Sequence, residues 1–519
     1  MSNATTIARN SLWTLLDNGL GFATSLVCSV AVARVMGPAK LGYFNYVLWV
    51  ASMTGTVAAL GVPLATRKYA AEHLGRGEHA MAKTIVRTTM RFQAYIATVV
   101  GVVGVTLVLL TVAPERRAWA IMAVLSIVPQ LLMGVASDAI TATEDQRLNV
   151  RASVISTVVN LVGVATALIL RWDLPGLTGS LLVSRIIDFG LRTYYYRRVY
   201  AAFPGVPAAL PPDLRRRMVK FCWQSTTLLV LDVVVWERSE MFFIQRWCDI
   251  QQVAFFSITF NIVQNLMILP RVLSWSADTT MMVQQGRAPG TVAKLGVTTM
   301  RFMALFTLPA AFGLAALADP VMRLVYGPKY LAAAPVLMIT ALMCLGRPLQ
   351  IPAQRVLVAA ETQGFLLWWG ILMAAVNVTA DMLIIPGGGA LGAAYAKGGV
   401  QALAALGLWA YVGRRFRVSL PLGRLAALVL ACGAMFGVVW AIAGALRPIV
   451  AIPVGIPVGM AVFVILLRLV RFLDPADRSR LLSLQRMMPR PMQGPFAALV
   501  DFVAPPEAAS PALGAGGGA

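Results

Sequence analysis

Residues 143–146 read TEDQ, and residues 360–363, located 217 positions later, read AETQ. Each motif is followed at the same offset by an asparagine inside an apolar run, Asn160 in the first copy and Asn377 in the second. Two related membrane halves with a site between them are typical of transporters. The repeat therefore predicts a transporter built from two similar halves.

The composition indicates that the solvent of this chain is lipid. Hydrophobic residues make up 58% of the 519 residues and charged residues only 13%, and the mean hydropathy is +0.74. A soluble domain needs more polar surface than this. In a soluble protein the net charge of +22 would suggest nucleic acid. Since no recognition motif accompanies the charge, membrane topology and anionic lipid headgroups explain it better.

Continuous apolar runs long enough to span a bilayer recur along the whole chain, which predicts an all-α polytopic membrane protein of about fourteen helices. The runs cover residues 11–36, 43–63, 92–113, 117–142, 150–171, 176–196, 218–244, 252–272, 296–318, 331–359, 364–386, 389–413, 421–446 and 449–472. With the N-terminus inside, most Lys and Arg residues between the runs fall on the inner side. The positive-inside rule therefore predicts that both termini are cytoplasmic.

The runs divide into two six-helix lobes, residues 1–196 and 218–413. Residues 197–217 form a cytoplasmic linker whose prolines and arginines are unsuited to a lipid-facing helix. Because six is even, both lobes have the same orientation, and the repeat is parallel. Helices thirteen and fourteen lie in residues 414–472, and residues 473–519 form a tail that is first basic and then disordered.

Enzyme chemistry has little support in the sequence. The five cysteines form no CxxC motif and there are only two histidines, so a zinc site is not expected. There is no P-loop, so ATP cannot drive transport directly. A membrane glycosyltransferase or polymerase would need a large outer loop, but the predicted outer loops are short. We therefore expect a transporter and not an enzyme.

Charged and amide side chains inside the apolar runs are the first candidates for a coupling site, because such groups are costly in a bilayer. Asn377 and Asp381 lie at i and i+4 on one helix face, and Asp232 lies in the seventh run. Oxygen ligands on two helices suit a small cation or an exchanged proton. The alternative is interhelical hydrogen bonding that only holds the lobe together.

Four cations are the candidates for substrate binding: Arg347, Arg271, Arg355 and Lys397. Arg347 lies in the middle of the tenth run, with Arg355 on roughly the same face, and arginine suits bidentate contacts to pyrophosphate. For Arg271 and Arg355 the alternative is snorkelling to the inner surface.

Two other groups of charges are expected to be structural or gating. Arg185 and Asp188 lie at i and i+3, which predicts a local ion pair. Glu237, Arg238 and Glu240 approach the outer end of the seventh helix and are predicted to gate it.

Residues 33–44, ARVMGPAKLGYF, resemble the first outer loop of the polysaccharide transporter family, which flips polyprenyl-pyrophosphate-linked oligosaccharides. Residues 325–330, VYGPKY, followed by AAAPVL at 332–337, are similar to that family's approach to its tenth helix. The family belongs to the multidrug/oligosaccharidyl-lipid/polysaccharide (MOP) superfamily, which also contains the MATE-like multidrug exporters. The resemblance covers residues 8–470 and includes the count of fourteen helices.

The resemblance implies a V-shaped pair of lobes around a cavity that opens alternately inward and outward. Related peptidoglycan lipid flippases have an Asn-x-x-x-Asp pair on helix eleven and an aspartate on helix seven, which form a sodium site. Asn377, Asp381 and Asp232 look like the matching positions. Asp17 is the alternative, a proton site as in some multidrug exporters of the superfamily.

The implied function is a bacterial inner-membrane flippase for surface polysaccharide synthesis. Its coupling ion would be sodium or a proton, and no other cofactor is expected. The expected partners are the lipid-linked oligosaccharide, anionic lipids and the polysaccharide polymerase machinery, and not nucleic acid. The alternative is a cation-coupled multidrug exporter, although a cavity with Arg347 and Lys397 would repel its cationic substrates.

Overall fold

The computed structural model describes most of the chain as α-helix. The described residues are 3–206, 209–267, 281, 289–343, 346–360, 362–470, 472–473, 477–478, 481–482 and 490–503. Within these ranges there is no strand. Arg271, a predicted substrate ligand, lies outside the described residues.

The chain forms two compact units, and the first comprises Met1–Asn265 and Gly364–Val400. Its leading helices are α1 (Asn3–Ala58), α2 (Val62–Gly75), α3 (His79–Thr111), α4 (Pro114–Leu125), α5 (Ile127–Thr141), α6 (Gln146–Ile169), α7 (Asp173–Ala201), α8 (Pro212–Trp236), α9 (Glu240–Trp247) and α10 (Ile250–Leu266). Within this unit α6 packs along α7, and α5 packs against both α3 and α7.

The second unit comprises Leu266–Gln363 and Gln401–Ala519. Its helices are α11 (Val292–Ala316), α12 (Ala318–Val321), α13 (Ala334–Met343), α14 (Gly346–Ala359), the end of α15 (Gln363–Phe416), α16 (Leu422–Ala445), α17 (Pro448–Val470) and α18 (Arg490–Val503). Three short non-α turns cover Pro289–Thr291, Met322–Tyr326 and Pro328–Ala333. Leu308, Met435 and Phe463 meet in the apolar core that joins α11, α16 and α17.

The multipass all-α fold predicted from the sequence is confirmed. Among the described residues, nine helices are long and apolar enough to cross a membrane. The longest, α1 and α15, are each interrupted by one non-helical residue, Gly37 and Gly389. The count of fourteen crossings and the boundaries of the two six-helix lobes stay predictions.

The two sequence signatures form the same kind of Gly-Pro turn. Gly37 has φ 75° and ψ 172°, and Gly327 has φ 95° and ψ 172°. Residues other than glycine adopt this backbone conformation only under strain. Pro38 and Pro328 follow, and proline is tolerated at the start of a helix because it needs no hydrogen-bond partner there. Each signature therefore marks a break between two helical segments.

Candidate functional site

A break in the helical backbone opens the candidate site in the first unit. Helix α8 ends at Trp236, Glu237 is extended (φ −93°, ψ −162°), and α9 begins at Glu240. Such a break frees carbonyl groups that lipid cannot satisfy. The Nζ of Lys397, on α15, donates a hydrogen bond to the backbone carbonyl of Glu237. A charged side chain from a distant helix thus satisfies the broken backbone.

Five side chains meet at this break: Ser239, Glu240, Asn377, Asp381 and Lys397, here called the polar cluster. All of them belong to the first unit. The Nζ of Lys397 lies 3.0 Å from Oε1 of Glu240. Lys397 is 1% exposed and Glu240 is fully buried. Removing either partner would strand a buried charge, which typically costs about 3–5 kcal/mol.

The two candidates on α15 lie in contact, as their i, i+4 spacing requires. The Nδ2 of Asn377 donates to Oδ2 of Asp381 at 2.9 Å and to Oγ of Ser239 at 3.3 Å. Both α15 side chains are fully buried. Within the described part of the chain, Oδ1 of Asn377 and Oδ1 of Asp381 accept no hydrogen bond. Among the same residues, neither carboxylate oxygen of Glu240 accepts a hydrogen bond, so four buried oxygen atoms of the cluster are without a hydrogen-bond donor, which is costly.

A second cation lies beside the polar cluster. The guanidinium carbon of Arg238 lies 5.7 Å from the ring centroid of Phe260, and Nζ of Lys397 lies 5.9 Å from the same centroid. These distances are within the range of cation–π attraction. Two fixed cations thus accompany the two acids of the cluster, Glu240 and Asp381, and a third acid, the half-buried Glu237, precedes Arg238 in the sequence.

The residues fit a sodium ion poorly. Sodium prefers oxygen ligands, and the two bare oxygen atoms of Asn377 and Asp381 are of the right type. However, the amide nitrogen of Asn377 faces Asp381, and the ammonium of Lys397 already pairs with Glu240. Among the described residues, no group of three or more His, Cys, Asp or Glu side chains is placed to hold a metal ion. We therefore derive no transport step through sodium.

The remaining predicted site residues are less informative. Asp232 lies half-buried on α8, shortly before the break, and Arg355 lies half-buried on α14 in the second unit. Arg347 belongs to α14 and Asp17 to α1, but their side chains lie outside the described part of the structure. The substrate-binding role of the arginines and the coupling role of the aspartates stay predictions.

Lys397 was predicted as a ligand of the substrate, and the structure places it in the polar cluster. A phosphate group would have to displace the carboxylate of Glu240 to reach its ammonium. Sequence reasoning missed this pairing and instead gave Glu240 a gating role. The only sequence feature that could have indicated the pairing is an acid, Glu240, in an otherwise apolar run. Nothing in the sequence links Glu240 to a lysine on α15.

The predicted ion pair between Arg185 and Asp188 is wrong. Asp188 instead accepts a hydrogen bond from Nε of Arg192 at 2.7 Å, and Arg192 also donates to Oδ1 of Asn149 at 2.8 Å. The guanidinium of Arg185 donates to the side-chain oxygen of Gln130 on α5. Arg192, four residues after Asp188, lies next to it on the helix surface. Arg185 instead contacts the neighbouring helix α5, where Gln130 provides an acceptor.

Comparison with known proteins places this site in a transporter fold. The chain is similar to the lipid II flippase MurJ in an inward closed conformation, with 14% identity and a TM-score of 0.70 over 88% of this chain and 98% of that one. It is also similar to an inward-facing MATE multidrug resistance transporter of the MOP superfamily, with 12% identity and a TM-score of 0.65 over 76% and 94% of the two chains.

A third similar structure is a MOP superfamily transporter from Pyrococcus furiosus, with 11% identity and a TM-score of 0.59 over 79% of this chain and 95% of that one. No curated protein matches the chain. The similar structures are transporters and a flippase, and they show the fold of this chain. The profile of the family described as "polysaccharide biosynthesis protein" matches residues 7–279, slightly more than half of the chain. The chain therefore belongs to the polysaccharide biosynthesis protein family and has the fold of the MOP superfamily transporters.

Proposed function

We propose that this protein is a flippase that moves a polyprenyl-pyrophosphate-linked oligosaccharide across the bacterial inner membrane for surface polysaccharide synthesis. The family match over residues 7–279 carries the proposal, since it ties a MOP fold to polysaccharide biosynthesis. The similarity to a lipid II flippase supports the fold that such a task requires. The alternating-access cycle, the inner membrane and the cytoplasmic termini belong to the proposal.

The substrate explains why cations are needed. A pyrophosphate with several sugars cannot cross hydrocarbon unaided, because burying an unpaired charge is prohibitively costly. In the proposed cycle Arg347, Arg271 and Arg355 bind the pyrophosphate from the inner side. Arginine suits this role because its planar guanidinium makes two parallel hydrogen bonds to phosphate oxygens. Anionic lipids and the polysaccharide polymerase machinery are the other proposed partners.

A cation gradient is proposed to drive the return of the protein to its starting state. Asp232, Asn377 and Asp381 are the proposed coupling residues, and Asp17 is the alternative. The support for this placement is the burial of Asn377 and Asp381 together with their bare oxygen atoms. An intramembrane acid that is held in a polar cluster is a candidate site of ion movement.

Headgroup translocation in proteoliposomes tests the proposal. A fluorescent polyprenyl-pyrophosphate oligosaccharide is placed in both leaflets, and an impermeant quencher reports the fraction that reaches the outside. We expect the wild-type protein to move the headgroup. The translocation rate of the Arg347→Ala variant should be at least about tenfold lower, because one charge-assisted contact of about 1.4 kcal/mol or more is lost. Arg414→Ala, at an exposed position at the end of α15, is the matched control and should remain active.

The second candidate is a cation-coupled multidrug exporter, which the similarity to a MATE transporter favours. The same vesicles, loaded with a cationic dye, separate the two candidates. Dye export without headgroup movement would overturn the flippase proposal, whereas headgroup movement without dye export would support it. Headgroup movement that is unaffected in the Arg347→Ala variant would remove only the arginine from the proposed site.

A further inference from the structure

Lys397 occupies the position in the polar cluster where a diffusible cation would be expected. It is 1% exposed, its Nζ lies 3.0 Å from Oε1 of the fully buried Glu240, and it also donates to the backbone carbonyl of Glu237. An ammonium with two oxygen acceptors in a desolvated cluster performs the electrostatic role of a bound monovalent ion. We infer that Lys397 is a built-in cation that replaces sodium in this chain, so that the wild-type protein does not bind sodium at the polar cluster.

The charges around the cluster support this inference. Glu240 and Asp381 supply two negative charges, and Lys397 and Arg238 supply two positive charges, with both cations against the ring of Phe260. Glu237 and Arg238 are neighbours in the sequence and are both half-buried, so their opposite charges are partly solvated and offset each other. A sodium ion bound beside Glu240 would be repelled at close range by the ammonium of Lys397.

The hydrogen bonds of Asn377 point to the same conclusion. Its Nδ2, a donor, faces Oδ2 of Asp381 and Oγ of Ser239, so one oxygen of the carboxylate is already engaged. Among the described residues, the Oδ1 atoms of Asn377 and Asp381 accept no hydrogen bond, and neither does Oε1 of Glu240, but that oxygen already lies 3.0 Å from the ammonium of Lys397. The cluster therefore has the ligand types of a cation site, and the ammonium of Lys397 already serves as the cation of its acid Glu240.

Removing the ammonium should create the missing site. In Lys397→Thr, the acids Glu240 and Asp381 would keep two negative charges and Glu240 would lose the ammonium that now pairs with it. A buried pair of acids without a counterion is strongly unfavourable, so a small cation that binds there stabilises the folded protein. The variant should thus gain a sodium dependence that the wild-type protein lacks.

The inference rests on the proposed function only in that the polar cluster contains the proposed coupling residues Asn377 and Asp381, and its test uses no lipid-linked substrate. The full-length protein is purified in detergent, and its thermal unfolding is measured in NaCl and in choline chloride at equal ionic strength. Binding of radioactive sodium is measured on the same samples. Besides Lys397→Thr, the variants are Lys397→Gln, with a neutral oxygen-bearing side chain, and Lys294→Thr, which removes an exposed lysine on α11.

We expect sodium to leave the melting temperature of the wild-type protein and of Lys294→Thr unchanged and to raise that of Lys397→Thr by about 2–4 °C. Adding Asp381→Asn to Lys397→Thr should abolish this rise.

Saturable sodium binding by the wild-type protein in the millimolar range overturns the inference, whether or not the variants fold. If Lys397→Thr does not fold, sodium-dependent stabilisation of Lys397→Gln decides. A folded variant without sodium response also overturns the inference. A failure of headgroup transport would leave these ion-binding results unchanged, so the two proposals fail separately.

Discussion

At the scale of single residues, the buried pair of Arg192 and Asp188 should stabilise the first unit strongly. Their side chains are 10% and 12% exposed, and Arg192 also donates to Asn149 on α6. We expect Arg192→Leu to lower the free energy of unfolding by about 3–5 kcal/mol, because it leaves the carboxylate of Asp188 buried without a partner. Thermal or detergent-induced unfolding of the purified protein measures this change.

The exposed pair of Lys40 and Asp173 is the matched control for this prediction. Their side chains are 54% and 43% exposed, so water screens the attraction. We expect Lys40→Ala to change the free energy of unfolding by less than about 1 kcal/mol. Equal losses in Lys40→Ala and Arg192→Leu would show that burial does not set the strength of these pairs.

At the scale of helices, the break of α1 at Gly37 depends on a backbone conformation that other residues adopt only under strain. Its φ is 75° and ψ is 172°, and a Cβ atom added there would meet nothing within 4 Å. Backbone strain is therefore the only cost, and we expect Gly37→Ala to lower the free energy of unfolding by about 1–3 kcal/mol. Equilibrium unfolding of the wild-type protein and the Gly37→Ala variant measures this change in the free energy of unfolding.

Gly437, inside α16, provides the control, because a Cβ atom there also meets nothing and the residue is helical. Since alanine favours a helix over glycine by up to about 1 kcal/mol, Gly437→Ala should be neutral or stabilising. A destabilisation of Gly437→Ala as large as that of Gly37→Ala would mean that the positive φ of Gly37 is not the cause.

Most helices and the Gly-Pro breaks could be predicted from the sequence because they are determined locally, but the predicted run 218–244 missed the break at Glu237. Apolar runs give the helices, and a Gly-Pro pair gives the turn at Gly37 and again at Gly327. The contact between Asn377 and Asp381 was also predictable, since i and i+4 share a helix face. The pairing of Lys397 with Glu240 was not, because it depends on how α9 and α15 pack, and no local pattern reports that.

At the scale of the whole molecule, the distribution of positive charge makes a prediction about topology. If both termini are cytoplasmic, Arg415, at the end of α15, lies inside and Lys329, in the second Gly-Pro turn, lies outside; both are exposed. In a variant without native cysteines, Lys329→Cys should react with an impermeant maleimide in intact cells, and Arg415→Cys only after the cells are permeabilised. The two single-cysteine proteins control for each other, because each must react fully once the membrane is open. Labelling in the opposite order would show that the predicted topology is inverted. The arginines proposed to bind the pyrophosphate would then lie on the outer side of the membrane, where they could not bind a substrate made in the cytoplasm.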